Sequence, residues 1–248
     1  MRFKGKCVIV TGASRGIGRV AALAFAKEDA DLVVNGTNEA LLNQLKSEIE
    51  AMGRKCIAVA GDVSSPDTAD RLVDAAVCGI GRLDCLVNNA GFNQRTSTFE
   101  LTVEEWQRML DVNLTGTLHC CRAAIPVMCR QGYGKVVNVA SSASKQPHPN
   151  AALSYGASKA GVLYLTRHFA RECAPYGVNV NAVCPGPIET DMTAQWTPEY
   201  RETVMRKVPL GRIGKPEEVA ATILFLCSEE AGFIVGEAIN INGGTFMD

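Results

Sequence analysis

The sequence predicts an α/β protein: a doubly wound parallel sheet of about seven strands with helices on both faces, in one dinucleotide-binding and catalytic domain over residues 1–248. Three observations predict it. Short β-branched runs alternate with longer helix-periodic stretches throughout. Several short runs are apolar at every position rather than at alternate ones, as a parallel strand covered on both faces requires. The residues with chemical potential fall just after these runs, where an open α/β sheet meets its ligands.

Strands are expected at residues 6–10, 31–34, 56–60, 85–87, 135–139, 178–183 and 238–241. Helices are expected at 16–28, 38–52, 66–79, 103–129, 152–174 and 216–227. Gly53 follows Met52 as a left-handed C-cap, and Pro216 opens the last helix where a missing N–H costs nothing. Strand–helix–strand repetition implies right-handed crossovers. No Pro/Ser-rich linker, low-complexity tract or solenoid-period repeat divides the chain.

Composition narrows the function. A chain of 248 residues, 47% hydrophobic and 21% charged, has the make-up of a soluble globular protein. Its 25 Lys+Arg against 26 Asp+Glu give no electrostatic ground for binding nucleic acid or an anionic membrane. No stretch reaches the ~18 apolar residues of a membrane span, and the apolar run after Lys6 is too short for a signal peptide. Cys7, Cys56, Cys85 and Cys227 lie in apolar runs, and the ten cysteines include no Cys-x-x-Cys pair. They read as small core residues in a reducing compartment, so a cytoplasmic location is expected. His119, His148 and His168 lack ligand spacing to Cys, Asp or Glu, and no metal is expected.

The first expected strand runs into Thr11-Gly12-Ala13-Ser14-Arg15-Gly16-Ile17-Gly18. Glycines let a backbone turn tightly and approach a pyrophosphate, and the helix that follows offers unpaired N–H groups and its positive dipole end. This is a Rossmann-type arrangement, with Gly-x-x-x-Gly-x-Gly spacing in place of Gly-x-Gly-x-x-Gly. A carboxylate ending the second strand would select NAD(H), but that strand ends Val34-Asn35-Gly36-Thr37-Asn38. Arg15 is the cation able to meet a 2′-phosphate, Thr37 and Asn38 add hydrogen bonds, and NADP(H) is favoured over NAD(H).

Tyr155 and Lys159 stand at i and i+4, stacked on one helix face. An ammonium near a phenol favours the phenolate and is expected to lower its pKa. Ser141-Ser142 follows the fifth strand, Asn88-Asn89-Ala90-Gly91 the fourth, and Pro185-Gly186-Pro187-Ile188-Glu189-Thr190 the sixth. Asn113 interrupts a long helix, where a buried amide needs partners. Of the two serines, the spacing of 13 residues to Tyr155 selects Ser142, with Ser141 the alternative.

With these motifs the sequence resembles the short-chain dehydrogenase/reductase family in its single-domain form, over residues 6–244. The resemblance implies that Tyr155 is the general acid of carbonyl reduction and Ser142 the donor to the carbonyl oxygen. It implies that Lys159 lowers the tyrosine pKa and holds the nicotinamide ribose, and that Asn113 anchors a water in the proton relay. It further implies a cofactor lined by Gly12, Ser14, Arg15, Gly16, Ile17 and Gly18, with Asp62 and Val63 beside the adenine. Asn89 and Gly91 would lie along it, with Pro185, Gly186, Ile188 and Thr190 at the nicotinamide end. A homotetramer is also implied, paired through the helices at 103–129 and 152–174 and through the last helix and strand.

The motif set and the end of the chain, residues 239–248, look most like 3-oxoacyl-(acyl-carrier-protein) reductases of fatty acid biosynthesis. The expected substrate is therefore a 3-oxoacyl thioester, free or carrier-bound. Arg130 and Arg171 suit an acidic carrier, but Tyr176 stands where another cation is expected. Residues 92–95 also resemble those of sugar-acid and polyol dehydrogenases, so a sugar acid, steroid or simple ketone is the alternative. A non-catalytic dinucleotide-binding module is the alternative of another class. Pocket-lining candidates are residues 92–95, 144–150 with His148, Leu153, and 189–208 with Trp196, the last stretch as a mobile lid.

Overall fold

A computed structural model describes residues 1–148, 151–194 and 196–248. Among them, seven strands form one sheet: β1 Cys7–Val10, β2 Asp31–Gly36, β3 Cys56–Ala60, β4 Cys85–Asn88, β5 Gly134–Val139, β6 Val178–Pro185 and β7 Ala238–Ile241. Their order is β3-β2-β1-β4-β5-β6-β7 and every pairing is parallel. Strand order therefore reverses between β1 and β4, and a crevice opens beyond their carboxyl ends.

Alternation along the strands feeds two cores. Val8 and Val10 of β1 point to one face with Leu32 and Val34, against Phe25, Leu45 and Ile223. Cys7 and Ile9 point to the other with Val33, against Leu72, Cys121 and Met128. On the first face lie α1 (Gly16–Lys27), α2 (Glu39–Ala51) and α9 (Pro216–Cys227). On the second lie α3 (Pro66–Asp74), α5 (Gly116–Gln131) and α6 (Leu153–Cys173). Both faces are apolar because each carries helices.

Two expected helices are interrupted. The one at 103–129 becomes α4 (Val103–Leu110), a π-helical turn at Asp111–Thr115 and then α5. The one at 66–79 becomes α3 followed by a π-helical turn at Ala75–Ile80. The stretch expected as a mobile lid, to which the sequence assigns no helix, holds two, α7 (Asp191–Ala194) and α8 (Pro198–Lys207), the second capped by Thr197 accepting from the Tyr200 N–H at 3.2 Å.

One buried charge fastens β1 to β4. Asp84, fully buried, accepts from the Cys7 N–H at 2.9 Å and from Arg82 at 2.6 and 2.7 Å, with the Lys6 ammonium 3.5 Å away. Asp84→Ala strands a buried N–H and removes the partner of two cations. It should destabilise the fold by roughly 3 kcal/mol, seen as a lower urea midpoint at unchanged m-value.

Candidate active site

The crevice is built first from backbone. Thr11, ending β1, accepts through Oγ1 from the N–H groups of Asn89 and Ala90, both at 3.0 Å. Asn89 returns the tie by donating its amide to the Thr11 and Gly12 carbonyls at 3.0 Å each. Gly12 has φ +62°, and a Cβ there would stand 2.7 Å from the Ala90 Cα. A Cβ on Gly18 would stand 2.4 Å from the Gly12 carbonyl oxygen. These two glycines are thus required by the packing of the turn itself. Gly16, with φ +56°, is roomier, its virtual Cβ lying 3.6 Å from Thr190 Cγ2.

Arg15 is the N-cap residue of α1, no side chain caps that terminus, and the first turn of Gly16–Ile17–Gly18 holds no acid. The leading N–H groups of α1 and its positive dipole end therefore suit an anion. Ser14 packs so closely on Gly36 that a Cβ there would lie 2.1 Å from Ser14 Oγ. Arg15 is three-quarters exposed, its Nε 3.8 Å from the Asp191 carboxylate. Thr37 is exposed, whereas Asn38 spends its side-chain oxygen capping α2, accepting from the Leu41 N–H at 3.0 Å. Asp62 is held by Arg108 and by the Ser64 N–H at 2.9 Å; partial burial raises its pKa, and these bonds bring it below the usual carboxylate range. Val63 is buried against Gly116.

The second wall carries the titratable groups. Lys159 is buried, its Nζ 5.9 Å from the centre of the Tyr155 ring and donating to the Val139 carbonyl at 2.7 Å. Burial draws its pKa down to about 8, against the opposing pull of Cys184. Tyr155 keeps some exposed surface, but burial pushes its phenol above the ordinary value, countered in part by a hydrogen bond with Ser141. The expected lowering of the phenol by Lys159 is thus not found in the chain alone. Desolvation drives both groups toward their neutral forms, and the ammonium is turned onto a strand-end carbonyl.

The serine expectation also changes. Ser141, not Ser142, is the hydrogen-bond partner of Tyr155. Ser141 has extended backbone at φ −169° and ψ 157°, so its side chain and that of Ser142 point to opposite sides. Ser142 is buried at the head of the 3-10 turn Ser142–Ser144, while Ser141 Oγ accepts from the Ala143 N–H at 3.1 Å.

Asn113 lies in the π-helical turn and is fully buried. Its oxygen accepts from the Phe92 N–H at 3.0 Å, and its amide donates to the Phe92 carbonyl at 2.9 Å and to Ser158 Oγ at 3.2 Å. A Cβ on Gly91 would lie 2.9 Å from Asn113 Oδ1 and 3.4 Å from Lys159 Nζ, so Gly91, Asn113 and Lys159 converge. Beyond β6, Pro185 leads to Gly186, whose N–H donates to the Ile241 carbonyl at 3.0 Å. Ile188 is buried, and Thr193 holds the turn by accepting from the Thr190 N–H at 2.9 Å and donating to the Ile188 carbonyl at 3.0 Å. Sequence reasoning passed over Thr193, Asp191 and Arg108; only the Thr-x-x-Thr spacing of a local hydroxyl turn could have flagged the first.

The expected pocket stretches flank this wall, though Pro149, Asn150 and Gln195 lie outside the described residues. Leu153 is half-exposed and Tyr176 exposed. A cavity of about 470 Å³ lies behind the Pro187–Ile188 turn, lined also by Leu210, Asn242 and Met247, and reaches neither Tyr155 nor the glycine turn.

Comparison with known proteins agrees with this geometry. A family model described as enoyl-(acyl carrier protein) reductase matches residues 12–245. A 3-oxoacyl-(acyl-carrier-protein) reductase of Thermotoga maritima is 39% identical over 244 residues, 98% of this chain and 99% of that protein. The crystal structure of a 3-oxoacyl-(acyl-carrier protein) reductase from Brucella melitensis superposes with TM-score 0.93 at 36% identity, covering 100% of this chain and 93% of the other. One provisionally described as a gluconate dehydrogenase, from Agrobacterium tumefaciens, gives TM-score 0.94 at 35% identity, covering 98% and 97%.

The buried ammonium makes a pH prediction. Folding lowers the Lys159 pKa from its ordinary 10.5 to about 8, so between those values the unfolded chain binds more protons. The cost of burying the charge is fully present below pH 8 and is relieved as pH rises through that window. Urea titrations across it should show wild type gaining on Lys159→Met by an amount of order 3 kcal/mol. A pH-independent difference would show that the ammonium is not desolvated.

Proposed function

The chain belongs to the short-chain dehydrogenase/reductase family, an oxidoreductase acting on C=O and CH–OH groups with a nicotinamide dinucleotide, and on that premise we propose that it is an NADPH-dependent reductase of 3-oxoacyl thioesters. The observation that supports it most directly is the convergence of Ser141, Tyr155 and Lys159, with Gly91 and Asn113, at the carboxyl ends of β4 and β5.

The bound dinucleotide supplies the hydride; the chain supplies protons and position. Burial keeps the Tyr155 phenol protonated at neutral pH, the state a proton donor to a nascent alkoxide must have. Ser141 donates to the same oxygen as charge develops on it. Lys159, drawn down to about 8, exchanges a proton near neutrality and recharges the phenol. Asn113 is a positioning residue that fixes the Phe92 backbone beside them. Gly16 and the open end of α1 would receive the pyrophosphate, with Gly12 and Gly18 holding the turn close to β4; Asp62 and Val63 would lie toward the adenine, and Ile188 and Thr190 toward the nicotinamide.

The preference for NADPH is supported by the end of β2. Asn35 is buried there, donating to the Val59 and Gly61 carbonyls at 3.0 Å each, and no carboxylate follows it before Glu39. Arg15 is exposed and loosely held by Asp191, which a 2′-phosphate would displace. The thioester substrate is supported by the names of the Thermotoga and Brucella relatives. A sugar acid is the second reading, favoured by the Agrobacterium structure. Exposed Tyr164 on α6 and Phe233 and Val235 before β7 offer apolar surface at both pairings of a homotetramer. A reducing cytoplasm suits the ten free cysteines.

Tyr155→Phe should cut kcat by a factor of about 10³ or more while NADPH affinity stays within about twofold. Ser141→Ala should lower kcat by roughly 10²–10³, and Ser142→Ala by far less; the reverse ranking would return the role to Ser142. Arg15→Ala should weaken NADPH binding about tenfold or more and leave NADH nearly unchanged, measured by fluorescence titration; equal losses would show that the arginine does not read the phosphate.

A further inference from the structure

Arg95 lies outside the machinery described above, on the rim of the same crevice. Its loop is fixed on both sides: Asn113 grips both backbone groups of Phe92, Asn93 accepts from the Ala152 N–H at 3.3 Å immediately before α6, and Gln94 and Thr96 donate to the Glu105 carboxylate of α4. The Arg95 guanidinium stands 5.9 Å from the Trp196 ring centre and 5.6 Å from that of Tyr200, with the two rings edge to face at 5.1 Å. One cation therefore joins the loop beside Tyr155 to the segment carrying α8.

Two features of this junction point to a ligand. Among the described residues the buried Trp196 Nε1–H finds no acceptor, a condition that costs about 1–3 kcal/mol unless one enters. Charge is the second feature. Among the described residues neither Arg95 nor Lys207 forms an ion pair, while Glu189 and Glu202 of the same segment are taken by Arg201 and Arg206. Burial and then Lys207 and Arg95 hold the His148 ring toward its neutral form.

We propose that Arg95 and Trp196 form a subsite for an anionic group of the substrate, so that the carbonyl compound reduced at Tyr155 carries a phosphate or carboxylate. A guanidinium can stay stacked on an aromatic face while giving its edge to an anion, and the indole N–H gains its acceptor in the same event. The subsite rests on the carbonyl-reductase function proposed above. A phosphopantetheine thioester presents a phosphate and a keto sugar acid a carboxylate, and both are the same chemistry to these donors.

The test uses the full chain with NADPH and two substrate pairs differing only in the anion: acetoacetyl-4′-phosphopantetheine with acetoacetyl-pantetheine, and 5-ketogluconate with its methyl ester. Wild type should prefer the anionic member of one pair by about tenfold or more in kcat/KM, and that pair identifies the source of the anion. Arg95→Ala and Trp196→Phe should abolish the preference through KM, leaving the neutral member within about threefold, and Arg95→Lys should restore part of it. Turnover without preference in either pair, or equal losses on charged and neutral members, overturns the subsite alone. No turnover of any of the four by wild type overturns the subsite and the carbonyl-reductase function together.

Discussion

An ammonium held out of water on a strand-end carbonyl is the constraint around which this site is arranged. Lys159 reaches the Val139 carbonyl at 2.7 Å from within the protein, and the same burial that weakens its hold on a proton strengthens that of Tyr155. Phenol and ammonium thereby part in proton affinity, the tyrosine holding its proton more firmly than usual and the lysine less, so that a proton passes downhill from the ammonium to a phenolate. A donor that must be protonated at neutral pH, and a neighbour able to recharge it, follow from one desolvated wall. The expected effect, lysine lowering tyrosine, is outweighed in the chain alone by desolvation of both groups and by the carbonyl that holds the ammonium.

That wall is only as firm as the backbone around it. Thr11 and Asn89 lock the ends of β1 and β4 with bonds of 3.0 Å, and Gly12 and Gly18 let the locked segments approach within distances no Cβ would tolerate. Asn113 could not meet Phe92 from a regular helix surface without another device; the π-helical turn supplies it by breaking the 3.6-residue repeat where the amide must turn inward. Structural and functional glycines are consequently distinguishable here: Gly12 and Gly18 serve packing, and Gly16 leaves open space at the head of α1.

How much of this was legible follows from the range of each signal. The seven strands and the six main helices announced themselves because continuous apolar runs and 3.6-residue periodicity are local and the sheet is buried on both faces. The π-helical turns were invisible, since one extra residue per turn barely disturbs that periodicity. Helix α8 was missed because its face is polar from Pro198 to Arg206 apart from a few positions, so nothing but the Thr197 cap marks it. Residue counting chose Ser142, but which of two adjacent serines faces Tyr155 depends on backbone direction at Ser141. Pairs such as Arg15 with Asp191 or Arg108 with Asp62 join residues 176 and 46 positions apart, beyond any local pattern.

The division between what was readable and what was not matches a division of labour in the molecule. The proposed proton chemistry sits after β5 and on α6, where packing fixes side chains and apolar sequence betrays the elements. The proposed discrimination sits on the loop after β4 and on the segment of α8, polar stretches joined by Arg95 across two aromatic rings rather than by a shared core. The rim is tied to the wall through Phe92 on Asn113 and Asn93 on the head of α6, and to α4 through Gln94 and Thr96 on Glu105. Proteins sharing this chain's sheet at TM-scores of 0.93–0.94 carry names as different as 3-oxoacyl reductase and gluconate dehydrogenase. The proposed reaction thus rests on the desolvated lysine and its tyrosine, whereas the proposed substrate class rests on the rim, where Arg95 stands against two aromatic rings and forms no ion pair among the described residues.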